Sequence, residues 1–531
     1  MKKFFKKITS SVIPVVLLGL ISVACEKEIE DLAPMRMFTP AGLIKSVSGV
    51  NEVKLTWNPS LYTTQSNGVT YTVEVAADTL FETPVLLTVE TDTSGVVFTD
   101  DQLEVRKNYF ARIKSNALGD RPESKWVTSN SFRIRGEQIF LPMESSDIID
   151  VAAILKWKKT AGLTKLVLRP ETGNPIEVTL TAADVEAAQK MVDKLKPSTT
   201  YTAEIYANNV SKGITTFTTK TSTVGANVID LTDIAGRPSV LQDTLNQIAS
   251  GSTVVLKRGM TYEISSTTNL DRSVTIVSEN SFNPNKAVIY FTSNFNIVEG
   301  SVIDSLVFKN VVMRGSDYSG KYVFNISKAS TIGKIKFESS HAEIFRGLTR
   351  LTAAGIKINN YIITNSVVDS LSNYGILTID HAGAIVDNIH FKNSTFYKIE
   401  RGMTSKSSST SILIENSTFN EVPEATRYLI DYSSNNVTGG IQVKNSIFGV
   451  GKSVSGDTGV KGIRAGSGTL VSSSGSYVTS DYVSTGNAIP GLMVYSGTIF
   501  DLFQAPRTGD FTIKDANFAG AASAGDPRWR Q

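Results

Sequence analysis

The chain has 531 residues, with 53 Lys plus Arg against 50 Asp plus Glu, three His and a single Cys. One cysteine excludes an intrachain disulfide, so the fold must rest on burial and backbone hydrogen bonding, which a chain of this length can supply. Near-neutral charge excludes a whole-protein attraction to nucleic acid, a 19% charged fraction with many Ser, Thr, Val and Ile favours β structure, and the length suits about three domains.

At the N-terminus, Lys2, Lys3, Lys6 and Lys7 precede an apolar run from Val12 to Val23 that is too short to span a bilayer and closes in Ser22 and Ala24 before Cys25. This predicts a signal peptide over 1–24 and lipidation of Cys25 by a diacylglycerol thioether. Lipoprotein signals usually carry Leu three residues before the cysteine, where this chain has Ser22. Without the four leader lysines the balance is 49 basic to 50 acidic residues. Residues 25–37 open with Glu26-Lys27-Glu28-Ile29-Glu30-Asp31. They resemble the acidic tethers of surface-exposed lipoproteins of Bacteroidota, which implies an outer-membrane lipoprotein facing outward.

From 38 to 136 short strands alternate apolar and polar residues, as in Val53 to Trp57, Val69 to Val75 and Tyr109 to Ile113, with turn clusters between them. The pattern predicts an all-β sandwich with Trp57 inward. Trp57 on an early strand and the Tyr109 strand resemble the core pattern of the fibronectin type III family. A second copy over 137–224 is carried by Ala153 to Trp157 and by Leu195-Lys196-Pro197-Ser198-Thr199-Thr200-Tyr201, similar to the run before strand F in that family. Residues Ala182 to Leu195 read as a helical insert. Both sandwiches are expected to act as spacers.

The third region, 227–531, opens with Leu241, Leu245 and Ile248 at helical spacing, then the strand Gly251 to Leu256, Gly259, and Tyr262 to Ile264. Helix, strand, glycine turn and strand resemble the start of a right-handed parallel β-helix of the pectate-lyase type. An internal repeat of apolar, any residue, Asn, small residue, any residue, apolar then recurs around Asn310, Asn365, Asn393, Asn416 and Asn445. The gaps are 55, 28, 23 and 29 residues, the first halved by a degenerate copy at Phe337-Glu338-Ser339-Ser340. One coil per repeat follows, with each Asn in a left-handed corner and its amide bonded to the Asn of the next coil. The fold class expected is all-β: two fibronectin type III-like β-sandwiches followed by a right-handed parallel β-helix with a C-terminal cap.

Such a helix presents a regular row of side chains to an extended polymer. Arg314-Gly315, Arg346-Gly347, Arg401-Gly402 and Arg427-Tyr428 recur after the repeats, and residues 305–464 hold 18 Lys plus Arg against 12 Asp plus Glu. Guanidinium groups grip carboxylates through paired hydrogen bonds, so an acidic, uronate-containing polysaccharide is the expected ligand. The candidate contacts are Arg314, Glu343, Arg346, Arg350, Tyr374, Arg401, Lys406 and Arg427. The bland alternative is that these arginines pair with Glu343, Glu400 and Glu424 on a solvated surface.

A polysaccharide lyase acting by β-elimination would need a base, for which Arg346, Arg350, Arg401 and Lys406 are the candidates. Asp369, Asp380, Asp387 and Asp431 are scattered, and His341, His381 and His390 lack metal-ligand spacing, so no metal or cofactor is expected; calcium enters only under the lyase reading. The segment Gly509 to Ile513 and Ala524 to Trp529 resembles a tail on β-helix proteins of glycan-utilisation loci in gut Bacteroidota, including pectin loci. That resemblance implies pectin-type glycan capture beside an outer-membrane glycan importer. Capture is favoured over cleavage, and an adhesin or structural stalk is the third reading.

Overall fold

The computed structural model describes residues 35–63 and 68–530. Cys25, the leader before it and the acidic segment up to 34 lie outside the described residues.

In the first sandwich seven strands form: β1 (Ala41–Ser48), β2 (Glu52–Asn58), β3 (Tyr71–Ala76), β4 (Leu87–Thr91), β5 (Gly95–Thr99), β6 (Phe110–Ser115) and β7 (Val127–Thr128). Their order is β1-β2-β5 in one sheet and β4-β3-β6-β7 in the other. That is the fibronectin type III arrangement. Trp57 and Tyr71 meet edge to face at 5.4 Å between the sheets, both buried. The buried Tyr109 hydroxyl accepts a hydrogen bond from the Glu104 amide five residues upstream (3.0 Å), pinning the chain where it enters β6.

The second sandwich repeats this plan with β8 (Ala153–Lys156), β9 (Lys165–Pro170), β10 (Ile176–Thr179), β11 (Gln189–Val192), β12 (Thr200–Ala207) and β13 (Val210–Thr218), ordered β10-β9-β12-β13 and β11-β8. Tyr201 accepts from the Lys196 amide (2.8 Å), the counterpart of the Tyr109 bond, and Trp157 is buried as its alternation predicts. The expected helical insert is only half helical. A Thr181 and Asp184 capping box starts a helix over Ala182–Ala187, Ala188 turns left-handed at φ 51°, and the remainder becomes β11, paired with β8. Tertiary pairing wins over propensity there, because β8 needs an antiparallel neighbour for its open edge.

Beyond Val228 the chain winds into a parallel β-helix. Val240, Leu241, Leu245 and Ile248 bury against the first coils and close the bore. One sheet stacks ten strands in succession from Val228–Asp230 to Val471–Ser474. Two further faces meet at a bend within long strands such as His341–Leu351 and Val367–Ile379, so each coil contributes three segments. Aromatic rings fill the bore, and Phe396, Phe419 and Phe448 stack at 4.8 and 5.1 Å, the spacing of the coils themselves.

The corner after the first sheet explains the repeat. Asn310, Asn365, Asn393, Asn416 and Asn445 adopt φ between 47° and 56°, Ser339 of the degenerate copy adopts 51°, and Gly475 extends the series at 60°. The predicted amide-to-amide ladder needs correction: among the described residues one such bond forms, from Asn393 Nδ2 to Asn365 Oδ1 (3.1 Å). Asn365 and Asn445 are exposed and the other three half-buried, and Arg530 donates to Asn416 Oδ1 (3.1 Å). The coil-to-coil ladder is carried instead by the buried serine that follows. The amides of Ser340, Ser366, Ser394, Ser417 and Ser446 donate to the hydroxyls of Ser366, Ser394, Ser417, Ser446 and Ser476 at 3.1, 3.1, 3.4, 3.2 and 3.1 Å. Each of these hydroxyls turns its proton back to a carbonyl two residues upstream, as Ser394 does to Lys392 (2.7 Å). Asn supplies the backbone conformation and Ser the bond.

Segment 499–530 does not cap the end of the helix. It folds back along the second face, burying Phe503, Phe511 and Phe518 against Ile447 in a small separate core. Trp529 Nε1 donates to Thr395 Oγ1 (2.8 Å), Thr395 donates to Asp526 (2.7 Å), and Arg528 Nη2 donates to the Ser366 carbonyl (2.8 Å).

Replacing Ser394 by Ala leaves the buried Ser366 amide without its acceptor and is expected to destabilise the β-helix by about 1–3 kcal/mol. Asn393→Gly keeps the left-handed corner and should stay within about 1 kcal/mol of the parent, whereas Asn393→Val should cost more than Asn393→Gly. Urea denaturation followed by circular dichroism checks the order.

Candidate functional site

The third face carries a groove of about 490 Å³ that crosses four successive coils, so its long direction follows the helix axis. Strand register positions its walls. Arg350 lies level with Thr378, Thr378 with Thr404, Thr404 with Asp431 and Asp431 with Arg464, one residue per coil and all outward. One position inward, Leu377, Met403, Ile430 and Ile463 face the bore. Arg346, Tyr374, Arg401 and Lys406 line the groove with Asp380 and Asp431.

The glycines after the arginines have a steric cause. A Cβ at Gly347 would lie 2.6 Å from that of Tyr374, and one at Gly375 or Gly402 would collide with the carbonyl of Arg401 or Leu429 on the next coil. Glycine lets the coils close at this bend, and the preceding side chain is thrown outward beside it. The Arg-Gly pairs do not form one straight row. Gly347 is opposite Gly375, but the pairing of Leu377 with Met403 sets Arg401, not Gly402, level with Gly375. Arg314 belongs to the second face, level with Glu343, to which its Nε donates at 2.7 Å.

Lys406 in the groove, and Arg350 and Arg464 beside it, are already matched. Asp380 receives Lys406 Nζ (2.8 Å) and both Nε (3.1 Å) and Nη2 of Arg350. Burial pushes the Asp380 carboxyl up, but the bonds from Lys406 and Arg350 outweigh it and hold it below the ordinary carboxylate value. Asp431 takes two bonds from Arg464, at 2.8 and 2.7 Å. Glu343, Glu400 and Glu424, the acids that could have neutralised the groove arginines, are held by Arg314, Lys452 and Arg427 respectively. Arg346 and Arg401 are left: among the described residues neither has a carboxylate within ion-pair distance or a side-chain hydrogen bond. The Arg346 guanidinium sits 4.7 Å from the centre of the Tyr374 ring and that of Arg350 4.2 Å, so the tyrosine positions both. Burial, with Arg427 nearby, pushes the Arg401 guanidinium below its ordinary value.

The predicted residues therefore divide. Arg346, Tyr374, Arg401 and Lys406 come together in the groove, Arg350 braces it from beside, and Arg427 borders an adjoining hollow that shares Arg401 and Asp431. Arg314 and Glu343 face elsewhere. Asp380 and Asp431, read from the sequence as scattered, are the counterions that order the groove; only coil register reveals it.

On the second face the register also gathers His341, Glu343 and Asp369, one ligand-capable atom of each lying within 4.8 Å of the others. His341 Nε2 and Asp369 are hydrogen-bonded at 2.5 Å, Ser370 donates to Asp369 (2.7 Å), and Arg314 holds Glu343. These mutual bonds satisfy the cluster from within and leave a weak donor set for a metal. The spacing of 28 residues between His341 and Asp369 is one coil, which hid the pairing from a search for local ligand spacing.

Residues 260–399 match the family model DUF4957 and residues 412–529 match DUF5123, each described as a domain of unknown function. Comparison with curated proteins returns no match. Among solved structures, the chain is similar to the FN1–FN3 domains of chicken CNTN1 (13% identity, 35% of this chain and 66% of that one, TM-score 0.16). It is likewise similar to a segment of two fibronectin type III domains from chicken tenascin (15% identity, 34% and 99%, TM-score 0.19). At such scores the sandwich assignment rests on the strand order given above. The groove straddles the two matched segments, with Arg346, Tyr374 and Asp380 in the first, Asp431 in the second, and Arg401, Thr404 and Lys406 between them.

Asp380→Asn is expected to destabilise the protein by about 1–3 kcal/mol at pH 7, since Arg350 and Lys406 lose their shared carboxylate. Because the folded carboxyl titrates below its ordinary 3.8, its contribution is present above that value and fades as pH falls through the folded value. The parent and variant denaturation midpoints should therefore converge as the pH falls below the ordinary 3.8 and through the folded value.

Proposed function

We propose that this chain is a cell-surface lipoprotein, held to the outer membrane through Cys25, that captures an acidic, uronate-containing polysaccharide along the third face of its β-helix. The observation that carries the reading is the pair of unmatched guanidinium groups, Arg346 and Arg401, in a groove where Lys406 and the bracing Arg350 already hold Asp380. An unpaired, half-buried guanidinium is poorly hydrated by comparison with one in open solvent, and a ligand carboxylate supplies the two parallel hydrogen bonds it lacks. The open, elongated groove suits a polymer better than a compact metabolite, which would leave most of its surface in water. Two sandwiches between the lipid and the helix would hold the polymer away from the membrane, close to an outer-membrane importer.

Elimination across the same polymer is the second reading. Arg401 is the observation that favours it: the side chain is unpaired and half-buried, and burial with Arg427 nearby shifts its guanidinium toward the neutral form a base needs. Asp380 and Asp431 are each clasped by cations and offer calcium no free carboxylate pair, so the reaction would rely on Arg and Lys alone.

Residues 26–531, tested in affinity gels containing acidic polysaccharides, should be retarded, with retardation weakening as salt rises. Arg346→Ala and Arg401→Ala should each weaken binding about tenfold or more, while Arg314→Ala, on another face, should not. Retardation by no acidic glycan sinks the capture reading; new ultraviolet absorbance from unsaturated products establishes cleavage.

A further inference from the structure

Charge along the groove alternates from coil to coil. The coil before Arg346 presents Lys321, within 4.0 Å of Asp317, and Tyr322. The next presents the unmatched Arg346. The third contributes Asn373, Tyr374 and Thr378, and its one acid, Asp380, is matched by Arg350 and Lys406. The fourth presents the unmatched Arg401. On the fifth, Arg427 is paired with Glu424 and Asp431 with Arg464. Unpaired guanidinium groups thus occur on alternate coils, and the coil between offers neutral hydrogen-bonding groups beside the Asp380 cluster.

Two coil steps separate the free guanidinium groups, about 9.6 Å along the axis. A pyranose in an extended chain advances the polymer by roughly one coil step, so a chain lying in this groove meets a free cation at every second sugar. A homopolymer of uronic acid would bring its intervening carboxylate against Asn373 and Tyr374, beside Asp380, with no free cation to receive it. That carboxylate would exchange water for neutral donors alone, without the charge-assisted pair its neighbours find on the coils either side.

Building on the capture of an acidic polymer, we propose that the groove is selective for a polysaccharide in which acidic and neutral sugars alternate, with Arg346 and Arg401 taking successive acidic residues and the Tyr374 coil taking the neutral sugar between them. Tyr374 then acts as a positioning residue, holding Arg346 and Arg350 at its ring rather than stacking on the sugar.

The test is calorimetric titration of residues 26–531 with two sets of oligosaccharides of equal length. One has alternating galacturonate and rhamnose; the other is oligogalacturonate. The expected result is binding about tenfold tighter for the alternating set. Asn373→Arg, which adds an exposed cation to the neutral coil, should raise affinity for oligogalacturonate and narrow the difference. Equal or tighter binding of oligogalacturonate by the parent overturns the alternation while leaving the capture of acidic polymers standing. Binding of neither set, with circular dichroism showing an intact fold, overturns both. Preference for the alternating set that persists in an Arg346→Ala, Arg401→Ala double variant also overturns the proposal, because selectivity then lies elsewhere.

Discussion

A buried backbone N–H at the corner of each coil must find an acceptor, and in this helix the acceptor is the serine hydroxyl of the next coil. The residues around that bond follow from it. The turn before the serine must be left-handed, so Asn, Ser or Gly stands there. The serine must be small, because its hydroxyl reaches both an amide on one coil and a carbonyl on its own. Once corners are superposed, the three faces have no freedom to slip relative to one another, since a shift of one residue would exchange bore and surface. Residues about 28 positions apart become neighbours, and the groove is a consequence of that fixed register.

Electrostatic selection then operates on a scaffold that places charges on a lattice. Across the third face the ion pairs that tie one coil to the next are Arg350 with Asp380, Lys406 with Asp380 and Arg464 with Asp431. Partial burial of these pairs makes an unmatched charge costly, so Arg346 and Arg401 are distinguished from the other arginines by what their neighbours already hold. Tyr374 offsets part of that cost for Arg346 through its ring face. Arg401 has no ring partner among the described residues, and burial, with Arg427 nearby, pushes its guanidinium below its ordinary value.

The β-helix was the most legible part of the sequence because its determinants are local. The left-handed residue, the small residue and the apolar pair lie within six positions, and the degenerate copy at Ser339 conforms in the structure as well as the asparagines do. The sandwiches were legible for a similar reason, through alternation around Trp57 and Trp157. What escaped depended on distances between coils. The serine ladder looked like a tolerance for small residues; Asp380 and Asp431 looked scattered; and the pairing of His341 with Asp369 spans a coil. The segment from Ala182 to Leu195 misled because alanines and a capping box favour helix locally, whereas β8 takes the second half as a strand. Arg346 and Arg401 could be found from their glycines, but their lack of partners could not.

Segment 499–530 has a bearing on how the protein is made. Coil-on-coil contacts join residues about one repeat apart and can form as the chain emerges, each new coil docking on the last. Arg528, in contrast, bonds the Ser366 carbonyl across 162 residues, and Trp529 reaches Thr395 across 134. These closures wait until every intervening coil has been threaded and stacked. Until then Ile447, Tyr397 and Tyr477 stand uncovered on the second face as a sticky flank. A chain interrupted between residues 478 and 499 would keep its groove and its ladder yet carry that flank permanently, a mark by which quality control could tell an unfinished molecule from a finished one.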